Sequence, residues 1–366
     1  MGRRIGFPYM GTSPLALKMI LEDLGHEPVV PTRPTKKTLS LGVKFAPEFA
    51  CLPLKITLGT MIEVLDRGAE VIVTSGGVGP CRAGQYAQIQ EAILKRLGYD
   101  FKMIVLEPPR KDILGFARHL HFLKGRRSWL TLWNVIKRGY RKIQALDQVE
   151  QALHRTRPRE LSRGDADRAF TRALTVIDGA RSGDEIEEAR LQGLALMNAV
   201  PQDRDLDPLR IGIVGEIYVV LEPSSNLNIE RHLGELGVEV HRSIFLTGWT
   251  QDNAIVEGGG HSVKKAAQPY LPEMIGGHGQ DSVGHTVIYA QEGMDGVIQL
   301  GPFTCIPEIV AKGILPQVSK DWDIPVFSVF LDEQTGEAGL RTRLEAFVDL
   351  LARRRAARQN GGDLAV

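Results

Sequence analysis

The sequence predicts an α/β protein made of two pseudo-repeated, doubly wound parallel-sheet domains with a helical insert. Three observations carry this reading. Short apolar runs alternate with amphipathic stretches of about 10–15 residues, the rhythm of strands joined by crossover helices. The segments IGFPYMGTSPLALKMILEDLGHEPVV and IGIVGEIYVVLEPSSNLNIERHLGELGVEV share the order strand, polar loop, helix, Leu-Gly, strand. GAEVIVTSGGVGPC and GMDGVIQLGPFTC then share a Gly-led strand, a glycine turn, a proline and a terminal cysteine. A chain of 366 residues is long enough for two domains of ordinary size.

Taken in order, Arg4–Phe7 reads as a strand. Ser13–Pro14 opens a helix, with serine as N-cap and proline in the first turn, and Leu24–Gly25 closes it. Pro28–Val30 is a strand, Pro53–Arg67 a helix, Ala69–Thr74 a strand, Gln85–Leu97 a helix and Met103–Leu106 a strand. These fill a first domain, 1–109. From 110 to 207 the β signal fades, and helical periodicity around Leu130–Val149 and Asp165–Ile177 predicts a helical subdomain. Its stretch Arg110–Lys142 carries ten Lys or Arg against one acid, Asp112, offset by the acidic Asp184–Glu188 run. Such a stretch is a solvated helical face, or a docking surface for an acidic partner or for ligand phosphates. Pro201–Pro208 reads as a linker into a second domain, 208–366. There Arg210–Val214, Val238–His241, Gly296–Leu300 and Pro325–Phe330 are strands. Asn226–Leu236, Ser282–Gln291, a stretch starting at Pro307–Lys312, and Leu340–Arg355 are helices, the last with a frayed tail from Arg353–Arg358 onward. Doubly wound domains of this Rossmann or flavodoxin kind hold ligands at the carboxyl ends of their strands.

Composition excludes several classes. Hydrophobic residues at 43% and charged residues at 24% are those of a globular chain, which excludes global disorder. A net charge of +1 argues against bulk binding to nucleic acid or membrane surfaces. No apolar run reaches the roughly 18 residues that span a bilayer. Gly2–Arg3–Arg4 leads straight into a strand, so no secretory leader is expected, and three cysteines make no closed disulfide framework. The expectation is a cytoplasmic, reduced protein.

Cys81 and Cys305 fall just beyond strands, and Cys51 just before a helix. Cys51-Leu-Pro53 and Cys305-Ile-Pro307 place proline in a first helical turn, and Pro80 precedes Cys81. A cysteine at a helix N-terminus faces free N–H groups and the positive end of the dipole, which is expected to lower its pKa. Any one of the three taken alone would be a small buried hydrophobe. All three, repeated beside proline, point to a metal or cluster, although separations of 30 and 224 residues are unlike zinc ribbons or ferredoxins. Three thiols fall one short of a closed zinc or [4Fe–4S] site. Either His278 or His285 completes a zinc site, or one iron stays open to water or substrate as a Lewis acid.

The runs ACLPLK, GVGPCRAGQY, GGHGQDSVG, DGVIQLGPFTCIPE and DEQTGEAGLRTRLEAFVDLL resemble the 2-hydroxyacyl-CoA dehydratase component D family, with its benzoyl-CoA reductase relatives. The resemblance is closer to a branch of CoA-substrate-specific enzyme activase-related proteins, and it covers both αβ halves. It implies that Cys51, Cys81 and Cys305 ligate one [4Fe–4S] cluster between the domains, with one open iron. It also implies an electron received at low potential from a separate ATP-hydrolysing iron–sulfur activator, and radical dehydration or reduction of an acyl-CoA-like or other small substrate in an anaerobic setting. A homologous partner subunit or a homodimer is the expected assembly. A double-cubane-type small-molecule reductase and a non-catalytic electron relay or assembly partner are the alternatives.

Around the cysteines, Arg82, Glu216 and His278 are candidate catalytic residues. Arg82 would hold a carboxylate, and His278 would supply a proton or a fourth ligand. Gln85, Tyr86, Tyr218, Asn226 and Ser282 are candidate substrate contacts, with Asn228 beside them; Ser282 is equally a helix N-cap. Lys55 reads as a plain surface lysine or as a residue tuning cluster charge, and Asp332, Glu333 and Glu337 read as a structural turn and helix entry. The glycine-rich TSGGVGPCRAG lacks the Gly-Lys-Ser/Thr ending of a phosphate loop, so nucleotide hydrolysis by this chain is not expected.

Overall fold

The computed structural model describes residues 2–76, 81–107, 113–251 and 260–360. Two four-stranded, all-parallel sheets dominate it. Strands β1 (Arg4–Gly6), β2 (Glu27–Val29), β3 (Val71–Ser75) and β4 (Lys102–Leu106) pair in the order β2-β1-β3-β4. Strands β5 (Leu209–Gly215), β6 (Val238–Arg242), β7 (Gly296–Pro302) and β8 (Val326–Leu331) pair as β6-β5-β7-β8, the same order repeated. In each sheet the winding reverses between the first and third strands, so the loops after β1 and β3, and after β5 and β7, open onto the crevice where such sheets bind ligands.

Each sheet is covered on both faces. Helices α1 (Ser13–Asp23), α5 (Ile113–Lys124) and α6 (Trp129–Thr156) bury Leu21, Leu123, Leu132 and Val135 on Ile5, Val71 and Ile104. The other face takes Leu58, Met61 and Ile62 of α3 (Leu52–Asp66) and Leu94 of α4 (Tyr86–Arg96). On the second sheet, α10 (Ile229–Glu235) and α15 (Glu337–Gln359) pack on one side, with Val219 of the short α9 (Ile217–Leu221). Helices α13 (Gly279–Gln291) and α14 (Ile306–Asp321) pack together, with α12 (His261–Ala267) beside them.

The middle of the chain is helical, as the missing β signal predicts: α6, α7 (Asp165–Gly179) and α8 (Gly183–Asn198) share a core of Ala145, Val149, Ala169, Ala173, Ile177, Ile186 and Met197. It is not an isolated lobe. Helix α6 also packs on α1 of the first half and on β6 of the second.

A helix absent from the sequence reading, α2 (Lys36–Phe45), crosses α3 at close range. A Cβ at Gly42 would come 1.6 Å from the Lys55 carbonyl, and one at Gly59 would come 2.0 Å from that of Thr38, so only glycine permits the crossing. Thr35 and Thr38 cap α2 reciprocally.

Other boundaries shift. Thr12 is the N-cap position of α1, and Ser13 instead donates its hydroxyl to the Met10 carbonyl. The tail expected to fray is helical to Gln359, because Arg354 and Arg358 pair with Asp323, and Arg355 Nε donates to Asp295 at 2.9 Å. Pro80, the GVGP turn and Arg110–Asp112 lie outside the described residues.

Candidate functional site

The three cysteines stand at helix starts, as their prolines predict. Cys51 is the N-cap residue of α3, Cys305 that of α14, and Cys81 that of the 3-10 turn Arg82–Gln85. Cys81 follows β3 and Cys305 follows β7, equivalent places in the two sheets. Arg82 joins their loops. Its guanidinium donates to the Phe49 carbonyl at 3.1 Å, to the Thr304 carbonyl at 2.6 Å and to Thr304 Oγ1 at 3.1 Å. Thr304 Oγ1 in turn donates to the Phe49 carbonyl at 3.2 Å. One side chain beside Cys81 thus holds the segments leading into Cys51 and Cys305. Thr304 sits at φ 68°, a strained conformation for a β-branched residue, at the turn that presents Cys305.

The expectation that helix N-termini depress the thiol pKa values is reversed for two of the three. Burial pushes Cys51 and Cys305 up, outweighing the Tyr86 contact at Cys51 and the Glu308 N–H at Cys305. The loss of hydration exceeds what one helix end returns. Both thiols also interact electrostatically with Glu216, and Cys51 with Cys81 and Cys305.

Glu216 immediately follows β5 and caps α9, accepting the Val219 N–H at 3.0 Å. The turn exists because the preceding Gly215 has φ 144°; a Cβ there would come 2.0 Å from the Leu300 carbonyl. Burial pushes Glu216 up to about 7. Glu308, fully buried one turn into α14, is also raised to about 7 by burial, despite its bonds to Gln299 at 2.9 Å and Ser282 at 3.0 Å. Sequence reasoning missed Glu308. Its signal was an acid in the first turn after Cys305, on the buried side of α14.

Tyr86 places its hydroxyl against the Cys51 sulfur, while Gln85 is exposed. The loop before α13 arches over the site: a Cβ on Gly277 would lie 3.8 Å from Cys81 Sγ. Next in that loop is His278, the N-cap residue of α13, whose imidazole burial, with His285 adding, lowers to about 4. It is neutral at pH 7, a lone-pair donor and not a source of protons as imidazolium.

Other candidates are structural. Ser282 lies inside α13 and not at its cap, and its hydroxyl is spent on Glu308. Tyr218 donates to the Tyr9 carbonyl at 3.0 Å, and buried Asn226 donates to the Val219 carbonyl and accepts from the Ile229 N–H. Asn228 accepts from Arg33 at 3.1 Å. Lys55 is committed to Glu333 at 2.7 Å, bridging the two halves. Asp332 caps its own turn through Gln334 and Thr335, and Glu337 pairs with His232 at 3.2 Å.

Among the described residues, the group of three ligand-type side chains whose donor atoms all lie within 4.8 Å of one another is Glu150, His154 and Glu230. A cation already occupies that group: Arg242 donates to Glu150 at 2.6 Å and to Glu230 at 3.3 Å. Among the described residues, Cys51, Cys81 and Cys305 do not form such a group. Scans of protein-family models and of curated proteins find no match to this chain.

Proposed function

We propose that Cys51, Cys81 and Cys305 hold a [4Fe–4S] cluster with one iron left open, and that the chain is the cluster-bearing subunit of a low-potential radical dehydratase or reductase. The observation that carries this reading is the convergence of all three cysteine loops on Arg82. Three thiols at three helix starts suit a group whose irons each take a separate thiolate. The resemblance in ACLPLK, GVGPCRAGQY and DGVIQLGPFTCIPE supports the same reading, with a separate ATP-hydrolysing iron–sulfur activator as electron donor.

When bound, such a group supplies a Lewis-acidic iron and single electrons at low potential. The chain's own residues supply the rest. Glu216 and Glu308, neutral up to about pH 7, hold protons beside the sulfurs. Tyr86, whose hydroxyl burial holds far above its ordinary value, stays a neutral hydrogen-bond donor at Cys51. Neutral His278 offers a lone pair on the loop over Cys81. Arg82 orients the three loops.

Anaerobic purification followed by iron and sulfide analysis and EPR tests the assignment. About four irons per chain and a cluster signal that changes in Cys81→Ala are expected. A wild-type chain that reconstitutes no cluster, or a Cys81→Ala chain that keeps a normal one, overturns it.

A further inference from the structure

The basic middle of the chain exposes an apolar surface that no described residue covers. Ile113 and Leu114 of α5 are 69% and 77% exposed, and Trp129, Leu130 and Trp133 of α6 are 51%, 70% and 60% exposed. Trp129, Trp133 and Ile136 follow at i, i+4 and i+7 on an exposed side of α6, and the adjacent side buries Leu132, Val135 and Gly139. The two helices meet here: the His121 and Trp129 rings lie 6.2 Å apart, and Lys124 Nζ sits 5.5 Å from the centre of Trp129.

Charge accompanies this surface. Residues 113–142 contain eight Lys or Arg and no acid. Arg138 is paired with Asp23, and Lys142 is buried on the carbonyls of Asp178 and Ala180. Arg118, Arg126, Arg127 and Lys137 are exposed and, among the described residues, outside any ion pair. Arg126 and Arg127 lie in the turn between α5 and α6, with the N-cap Ser128 between them and Trp129.

We propose that this α5–α6 hairpin is a peripheral attachment site for an anionic lipid surface. Indole rings and leucines standing well out of a helical face, ringed by unpaired Arg and Lys, have the composition of an interfacial helix. Apolar side chains enter the headgroup boundary while the cations take the lipid phosphates. The protrusion favours lipid over a folded partner, whose hot spots sit in pockets ringed by contacts that exclude water. The whole-chain charge of +1 is no obstacle, because this stretch of sequence holds cations and no acid. Attachment of this kind needs no spanning segment, and no described helix is long and apolar enough to cross a membrane.

Co-sedimentation with vesicles tests it, using phosphatidylcholine alone and phosphatidylcholine mixed with phosphatidylglycerol. Binding to the mixed vesicles that weakens with added salt, with a blue shift of tryptophan emission, is expected. Trp129→Ser with Trp133→Ser is expected to weaken binding about tenfold or more, and Arg126→Glu with Arg127→Glu to abolish it. All four side chains are on the surface, and circular dichroism confirms that both variants fold. Absence of binding to mixed vesicles at low salt, or wild-type binding by the tryptophan variant, overturns the proposal. So does a dimer in light scattering that the tryptophan substitutions dissociate, or preferential binding of poly-glutamate over vesicles.

Discussion

Arg82 donates to the Thr304 carbonyl at 2.6 Å across a sequence separation of 222 residues, joining the turn that starts at Cys81 to the turn that ends at Cys305. The bond is to backbone, so it fixes the path of the loop whichever side chains surround it. A planar fork is what lets one residue reach Phe49 and Thr304 together.

Arg82→Lys keeps the charge and loses the fork. Charged hydrogen bonds contribute about 1.5–3 kcal/mol when buried, and Arg82 is exposed, so a loss of about 1 kcal/mol in urea denaturation is expected. Iron uptake should fall much further than stability, because the three loops lose their common anchor. Equal, small losses of both would remove Arg82 from its positioning role.

Arg242 lies in a buried charge network that joins the second sheet to α6. It is paired with Glu150 and Glu230, stacked 4.2 Å from the centre of Phe245, and its side chain is 1% exposed. Arg242→Met leaves two buried carboxylates without their cation, which is expected to cost about 3–5 kcal/mol. Adding Glu150→Leu should restore part of that loss. A single variant as stable as the parent in urea would show that the network contributes nothing.

Asp147 yields a pH dependence of definite sign. Burial raises it to about 6, against the opposing Thr247 bonds, so the folded chain holds this proton more tightly than the unfolded one, whose value is 3.8. Stability from this residue is therefore highest below about pH 4, falls as pH rises to about 6, and is fully lost above that. Asp147→Asn keeps an acceptor for the Thr247 N–H and should be more stable than the parent at pH 7 by about 1–3 kcal/mol. It should also flatten the melting temperature between pH 4 and 6. An unchanged pH profile would rule this out.

Tyr218→Phe distinguishes structure from substrate contact. Losing the bond to the Tyr9 carbonyl is expected to cost about 1 kcal/mol. Iron content after anaerobic reconstitution should stay at the parental value. Lost iron with unchanged stability would return Tyr218 to the site.

The strands and most long helices were legible because their apolar runs are unbroken and end in glycine or proline, as in GVIQLGP before Phe303. The positions of the three cysteines were legible for the same reason, since proline marks a helix start whatever packs around it. Helix α2 was hidden because KKTLSLGVKF carries three lysines and a central glycine, and Gly42 makes sense only beside the Lys55 backbone. The thiol pKa values were misread because local sequence shows the helix dipole but not the depth of burial. Ser282 was misplaced as a cap because α13 already opens at Gly279, a poor helix former that local sequence does not mark as a start. Tyr218 and Asn226 lie where ligand contacts are expected, and only the three-dimensional partners show their polar atoms already used.

Helix α3 begins at Cys51 in the first half, yet its Leu52 and Ile56 are buried in the core of the second sheet, and its Lys55 pairs with Glu333. Parting the halves would expose both apolar side chains, at roughly 1.5–3 kcal/mol each, and strand a buried ammonium. The crevice therefore works as a riveted joint and not as a jaw. Beside that joint the chain leaves Phe49, Phe303 and Ile306, neighbours of Cys51 and Cys305 in sequence, open to solvent.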